Sequence, residues 1–191
     1  MAEKIIEIPQ INLESTLVHI VGKTPLLTNR FSERAMESIE NKQQHAPKTA
    51  REARDPDADF KDAMHMIAEG VHGFPSNGIK KALVAAGGRF ADEKMTHLRG
   101  VINIPTTHVE IQGPAPTMRS DPVRLQGMKF SVTYRPQYFP WEMIVPVMFN
   151  ASLIGEAQVI NLFQIAGFSV GLGSWRPECN GTFGQFTLAS V

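Results

Sequence analysis

The chain has 191 residues, of which 42% are hydrophobic and 20% are charged. These values are typical of one globular domain, since single cores commonly run to about 100–200 residues, and they exclude global disorder. The 19 basic residues balance the 19 acidic ones. Any site for a polyanion therefore has to come from local clustering of positive charge.

Cysteine content and hydropathy predict the compartment. Cys179 is the only cysteine, so no disulfide forms within the chain, and no N-terminal stretch resembles a signal peptide. No apolar run approaches the roughly 18 residues that a membrane helix needs. We therefore expect a cytoplasmic protein without membrane contact.

The first predicted element is a strand. Thr16–Val21 is rich in β-branched residues, and Leu26 and Leu27 follow it as residues expected to be buried. Ser32–Gln44 begins with an N-cap serine and predicts a largely exposed helix. His45–Asp59 contains two prolines and almost no large apolar residue. That composition predicts a flexible loop.

Two helical patterns follow the loop. The large apolar residues of Phe60–Glu69 recur at helical spacing, which predicts a helix that ends at Gly70. Asn77–Gly87 repeats this spacing with Ile79 and Leu83. It predicts the first core helix.

Strand patterns dominate the middle of the chain. Val101–Ile104 and His108–Ile111 both have strand composition, and Met128–Tyr134 alternates strictly between apolar and polar residues. Trp141–Phe149 predicts a further strand. Within it, Pro146 indicates an edge position or a bulge.

The chain closes with a helix, a loop and a strand. Ala151–Gly167 has helical spacing, with Asn150 or Ser152 as the expected N-cap. A long Gly-rich loop, Phe168–Gly184, follows it. The last predicted strand is Gln185–Leu188.

The core elements occur in the order strand, helix, strand, strand, helix, strand once the insertions are removed. This is the order of ferredoxin-like and RRM-type folds. We therefore predict an α+β fold: a four-stranded antiparallel sheet with helices on one face, a helical insertion and a β-hairpin extension. The chain is expected to form one domain, 1–191, with insertions at about 30–75 and 112–135.

Two segments resemble a known family. The first strand leads into Gly22-Lys23-Thr24-Pro25-Leu26-Leu27, and the last helix is followed by Gly171-Leu172-Gly173, Trp175-Arg176 and Gly181-Thr182-Phe183-Gly184. These features resemble the RAMP superfamily, the RNA-binding backbone and processing subunits of CRISPR effector complexes. The resemblance implies an antiviral-defence protein that binds guide-like single-stranded RNA. It also implies head-to-tail homo-oligomers and contacts with other effector subunits.

The candidate nucleic-acid site combines glycines, an aromatic residue and basic residues. Glycine lets a backbone approach a phosphate closely, an indole stacks on a base, and a guanidinium pairs with phosphate. Positive charge is enriched between Lys94 and Arg135, where six Lys or Arg accompany two Asp or Glu. The expected contact residues are Lys23, Arg30, Lys80, Lys81, Arg119, Arg124, Gly171, Gly173, Trp175, Arg176 and Gly181.

Three of these predictions have structural alternatives. The glycines also suit a long turn that contacts no ligand. Trp175 is also suited to fold inward and cover the core. Arg176 has an acidic neighbour in Glu178 with which it can pair.

The remaining chemistry-bearing residues form no complete motif. His65, Glu69 and His72 have the spacing of metal ligands, but Gly70 intervenes and no further ligand lies nearby in the sequence. Cys179 has no histidine partner that the sequence identifies. The Gly-rich loop follows a helix rather than a strand and lacks a full phosphate-loop pattern. We expect no metal and no cofactor.

Three functions remain open. The first is a non-catalytic scaffold that binds single-stranded RNA. The second is a phage or mobile-element protein-interaction module with the same fold, for example a CRISPR inhibitor, which the neutral net charge favours. The third is a RAMP-type endoribonuclease, with His19 or His108 near the Gly-rich loop as general base. We expect a binding protein rather than an enzyme.

Overall fold

A computed structural model describes residues 10–45, 54–124 and 130–190. The strands, in chain order, are β1 (Leu13–Gly22), β2 (Leu26–Leu27), β3 (Met66–Ala68), β4 (Val71–Pro75), β5 (Ile102–Asn103), β6 (His108–Glu110), β7 (Thr117–Arg124), β8 (Phe130–Tyr138), β9 (Glu142–Asn150) and β10 (Phe186–Leu188). The helices are α1 (Glu33–Gln43), α2 (Pro56–Asp62), α3 (Ser76–Phe90), α4 (Met95–Val101) and α5 (Glu156–Ile165). A π-helical turn, Ala166–Val170, extends α5, and a 3-10 turn spans Pro177–Cys179.

The central sheet has the strand order β10-β1-β9-β5, and each neighbouring pair is antiparallel. Helix α3 lies between β1 and β5 along the chain, and α5 lies between β9 and β10. This is the ferredoxin-like arrangement that the sequence predicts. The α+β fold class is therefore confirmed.

The two faces of the sheet differ. On β1, Val18 and Ile20 are buried, whereas Leu17 between them is 71% exposed. Both buried residues belong to one core cluster with Leu83 of α3 and Phe163 of α5. Since side chains alternate along a strand, one face of β1 packs on the helices and the other is open.

The predicted β-hairpin extension is formed by β7 and β8. These strands pair antiparallel from Thr117 opposite Gln137 to Arg124 opposite Phe130. The prediction placed a strand at Met128–Tyr134. Residues 128 and 129 lie outside the described residues, and the strand itself continues to the end of β8.

The helix predicted over Phe60–Glu69 is wrong beyond Asp62, where α2 ends. Its C-terminal part is β3, which pairs with β4 through Met66 opposite His72. Gly70 has φ +71°, so it supplies the left-handed residue of a tight hairpin turn. Pairing with β4 outweighs the helical spacing of the apolar residues.

The loop predicted over His45–Asp59 is wrong in its C-terminal part. The Asp55 side chain accepts hydrogen bonds from the backbone N–H of Asp57 and of Ala58, and it thereby caps α2. Pro56 at the first helical position is preorganised for this helix. Residues 46–53 of the predicted loop lie outside the described residues.

The last core helix begins later than predicted. Asn150 accepts a hydrogen bond from the Ser152 backbone within a turn, and the N-cap of α5 is Gly155. Gly155 donates its backbone N–H to Gln158 Oε1 at 2.9 Å. The predicted cap at Asn150 or Ser152 is therefore wrong.

Pro146 was predicted to mark an edge position or a bulge, and its strand β9 lies between β1 and β5. Strand β5 has two residues and pairs with Phe149 and Met148. Among the described residues, Pro146 is therefore paired only with β1, so this part of β9 is a local sheet edge that accommodates a residue without an N–H. In the described part of the chain, no helix is long and apolar enough to cross a membrane.

Candidate nucleic-acid interface

A cationic groove with a volume of about 480 Å³ lies where α3, α4 and the Gly-rich loop meet. Among the described residues, five positively charged side chains line it together with one carboxylate, that of Glu178. The cations are Lys80, Lys81, Arg89, Arg99 and Arg176. Three residues of the predicted nucleic-acid site, Lys80, Lys81 and Arg176, therefore come together here.

Two cations of helix α3 face the groove because they recur at helical spacing. Asn77, Lys81, Ala85 and Arg89 recur every four residues, so they form one stripe along the helix, and all four line the groove. The opposite face of α3 is anchored in the core by residues such as Leu83, which is fully buried. The stripe is the signal that would have added Arg89 to the predicted site.

Helix α4 supplies the opposite wall. Met95 and Arg99, four residues apart, line the groove, while Leu98 is buried against the core. The sequence prediction omitted α4, because this helix is seven residues long and has no side-chain N-cap.

Arg176 is held by Glu178. Its Nε and Nη2 donate to Glu178 Oε2 at 2.9 Å and 2.6 Å, and its Nη1 donates to the Gly173 carbonyl at 3.1 Å. The other carboxylate oxygen of Glu178 lies 2.7 Å from Arg89 Nη1. One carboxylate thus fixes two guanidinium groups at the groove. The structure therefore contains the Arg176–Glu178 pair, which the sequence offered as the alternative to a phosphate contact.

The glycines of the loop bring it against the chain's own backbone. Gly173 has φ +74°, and a Cβ added there would collide with the Leu27 carbonyl oxygen. A Cβ at Gly181 would collide with the Trp175 carbonyl oxygen, and one at Gly171 would lie 2.6 Å from Pro177 Cδ. These contacts fold the loop tightly on β2 and on itself, which positions Arg176.

Trp175 and Arg119 lie in a second group of residues, which we call the loop-base cluster: Trp175, Phe183, Arg119, Asp121 and Arg135. The Arg135 guanidinium lies 4.7 Å from the centroid of the Trp175 ring, and the Arg119 guanidinium lies 5.0 Å from that of Phe183. Arg119 Nε donates to Asp121 at 2.9 Å. The half-buried Trp175 thus attaches the loop to the hairpin rather than lining the groove.

Asp121 is buried in this cluster, and so is Arg135, with 5% of its surface exposed. Burial lowers its pKa, against the opposite effect of Asp121, whose carboxylate lies 3.8 Å away. The sequence prediction omitted both residues. Arg119 and Asp121 are two residues apart on β7, and Arg135 of β8 lies opposite Arg119, so the three share one face of the hairpin. This alternation is the sequence pattern that would have predicted both omitted residues.

Three further predicted site residues lie outside the groove lining. Lys23 is exposed just after β1, and its backbone N–H donates to the Gln185 carbonyl at 2.8 Å. Arg30 pairs with Glu33 at 2.9 Å. Arg124 is exposed at the end of β7.

The histidines are distributed over other surfaces. His19 lies on the open face of the sheet, with Nε2 2.9 Å from Glu142 Oε2. His108 faces His65 with 5.5 Å between ring centroids, and His72 Nδ1 lies 3.2 Å from the Tyr138 hydroxyl, whose pKa burial raises to about 12. Among the residues that the structure describes, no group of three or more His, Cys, Asp or Glu could hold a metal ion.

Two of these histidines make folding stability depend on pH. Burial lowers the pKa of His65, with contributions from His108 and Arg30, and burial also lowers that of His72. Their folded pKa values lie below the ordinary value of 6.5, so below that pH the unfolded chain binds more protons than the folded one. We expect the free energy of unfolding to fall as the pH is lowered from about 7.5 to 5.5.

Urea unfolding midpoints at several pH values in this range measure the effect. Replacing both histidines, His65→Gln with His72→Gln, should reduce the slope of midpoint against pH. An unchanged slope in the double variant would show that other groups carry the pH dependence.

Comparison with known proteins bears on the fold. No protein-family model matches the chain, and no curated protein matches its sequence. The chain is similar to a chain in the cryo-EM structure of the type III-B Cmr-beta bound to cognate target RNA, with a TM-score of 0.59 and 10% sequence identity. The likeness covers 93% of this chain and 59% of that chain, so this chain spans less than two thirds of its neighbour's length. At this identity the likeness shows a shared fold: the chain has the fold of a chain of that complex.

Proposed function

We propose that the protein is a non-catalytic subunit that binds single-stranded RNA, with the phosphates of the RNA in the cationic groove. The observation that carries the proposal is the groove itself, where five cations from three separate segments converge around one carboxylate. The chain as a whole is neutral. Phosphate contacts with Lys and Arg supply most of the affinity of sequence-independent binding.

The fold supports a role in an RNA-guided assembly. The similar chain belongs to a Cmr complex bound to its target RNA, and the segments around Lys23 and the Gly-rich loop resemble the RAMP superfamily. We therefore infer a CRISPR effector backbone-like scaffold that assembles along guide RNA, head to tail with its own copies and with other effector subunits. A heterologous contact of this kind repeats along a filament.

The positions of the histidines favour binding over catalysis. An endoribonuclease would need a histidine beside the loop together with a Lys or Tyr that stabilises charge in the transition state. His19 pairs with Glu142 on the open sheet face, and His108 faces His65. The residues that line the groove in the described part of the chain include no histidine.

One observation favours protein interaction as a second function. The open face of the central sheet exposes Leu17 and Ile144, 71% and 43% accessible, beside the His19–Glu142 pair. Exposed aliphatic residues on a sheet suit contact with another protein, whereas sequence-tolerant RNA binding on a sheet face commonly uses aromatic rings on which bases stack. This face is compatible with contacts between subunits.

The Arg176→Ala variant tests the proposed function. Its guanidinium lies in the groove, so we expect the affinity for single-stranded RNA to fall by about three- to tenfold and the slope of log affinity against log salt to flatten by about 0.7. Because Arg176 is partly exposed, stability should change little. Fluorescence anisotropy with labelled RNA at several salt concentrations measures both quantities.

The matched control is Arg34→Ala, which removes an arginine that is also ion-paired, to Asp62 at 2.7 Å, but outside the groove lining. It should leave affinity and slope unchanged. An unchanged affinity in Arg176→Ala would move the phosphate site away from the loop. Absence of RNA binding by the wild-type protein at low salt would make protein interaction the leading function.

A further inference from the structure

A second cavity, of about 240 Å³, lies on the other side of α4, between that helix and α5. Its floor is apolar and buried, formed by Leu98, Ile154 and Leu162. Exposed polar side chains stand around it, among them His97 and Asn161. We call this cavity the α4–α5 pocket.

The lining of the α4–α5 pocket differs in charge from the groove. It contains no Lys or Arg among the described residues, and its one carboxylate is that of Glu93. A phosphate would find no cation there. An uncharged planar group would find apolar walls for its faces and amide, imidazole and carboxylate groups for hydrogen bonds to its edge, which is how proteins hold an unstacked nucleobase.

Helix α4 lies between the cationic groove and the α4–α5 pocket and lines both. Met95 and Arg99 face the groove, and His97 and Leu98 face the pocket. Residues three or four apart share a helix face, so the remaining exposed residues, Thr96 and Gly100, form a crest between the two sites. An α-helix is about 10 Å wide with its side chains, so the groove and the pocket lie about one helix width apart.

At Gly100 the crest carries no side chain. A Cβ added to this glycine would have no atom of the described residues outside its own helix within 4 Å, so the space above it is open. The φ of Gly100 lies outside the left-handed region. The chain therefore does not need glycine here for its own folding, and a side chain at this position would only fill the space over the helix.

We propose that the α4–α5 pocket receives a base of the same RNA strand whose phosphates lie in the cationic groove, with the strand crossing α4 over Gly100. The proposal rests on the proposed function and assigns a base-binding site to it. A lone aliphatic side chain of a protein partner would use the floor of the pocket but not its polar rim. The cationic groove one helix width away favours a ligand that carries phosphates and bases together.

The first test compares a labelled oligouridine and oligoadenosine, each about ten nucleotides long, with an abasic ribose-phosphate strand of equal length. We expect the wild-type protein to prefer at least one base-bearing strand by about tenfold. Asn161→Leu removes a hydrogen-bonding group from the rim and keeps the same branched side-chain shape. It should abolish that preference while the affinity for the abasic strand and the salt slope stay unchanged.

The control for this variant is Gln164→Leu, an exposed α5 residue outside the pocket lining, which should bind like the wild type. Equal wild-type affinity for base-bearing and abasic strands overturns the base site but does not contradict phosphate binding in the cationic groove. If Asn161→Leu still prefers the base-bearing strand, the base site is also overturned. The pocket would then be a site for an apolar side chain of a protein partner. No binding of any strand refutes the proposed function as well.

The second test addresses the path over α4. Gly100→Trp places a large side chain on the crest, and we expect it to lower the affinity for the base-bearing strand by about tenfold or more. Gly100→Ala should bind as the wild type does, since a methyl group leaves most of the space open. Both variants should fold, because alanine and tryptophan are better helix formers than glycine. Full affinity in Gly100→Trp would exclude this path.

Discussion

Reversing the charge of Lys81 and Arg99 is expected to weaken binding of single-stranded RNA by about 100-fold at about 0.1 M salt. The two side chains lie on opposite walls of the groove, on α3 and α4. Replacement of both by Glu removes two cations and adds two anions, so phosphates are repelled from both sides. The salt slope should flatten by about 1.4 for the two lost phosphate contacts.

The control for the charge reversal is Lys42→Glu with Lys61→Glu. Both lysines are exposed, on α1 and α2, and neither lines the groove. This variant lowers the net charge by the same amount, so it separates local contacts from the overall field of the protein. Equal weakening in both double variants would show that net charge, not the groove, governs binding.

The Gly173→Val variant is expected to lower the free energy of unfolding by about 3 kcal/mol or more. Gly173 has φ +74°, and its missing Cβ leaves room for the Leu27 carbonyl oxygen. That oxygen accepts the backbone N–H of Ser174 at 2.9 Å, a bond that the bulky side chain would break. Valine also resists positive φ because its Cβ is branched.

Thermal unfolding followed by circular dichroism measures this loss, and for a chain of this length we expect the midpoint to fall by roughly 6–12 °C. The control is Gly100→Val, where the added atoms meet open space, and its midpoint should stay within a few degrees of wild type. Equal midpoints for the two variants would contradict the tight packing of the loop. RNA binding by Gly173→Val should be compared only below its unfolding range.

The core of the fold was predictable because its elements satisfy local and global preferences together. In α3, the apolar stripe of Ile79 and Leu83 indicated a helix, and the structure buries both residues. The sequence Thr16–Val21 indicated a strand and lies within β1. Where pairing decides the structure, local patterns were misleading: Met66 lies within the predicted helix Phe60–Glu69, yet it pairs with His72 in a hairpin.

The candidate site was predictable in part. Lys80, Lys81 and Arg176 were predicted and line one groove, because α3 and the loop are neighbours in this fold. Arg99 was not included, since its position opposite α3 depends on how α4 packs, which no local pattern specifies. The loop glycines were predicted to let the backbone approach a phosphate, whereas in the structure they let the loop pack against the chain's own backbone. Which backbone approaches them, here the Leu27 carbonyl oxygen at Gly173, is a tertiary contact that the sequence does not reveal.

The slope of log affinity against log salt for wild-type protein and single-stranded RNA tests RNA binding in the groove most directly. If three to five phosphates contact the five cations, the slope should be about −2 to −3.5. Fluorescence anisotropy over a range of salt from about 0.05 to 0.3 M measures it. A slope in this range supports binding of the phosphate backbone. A slope near zero, or no binding at the lowest salt, would contradict the proposed function.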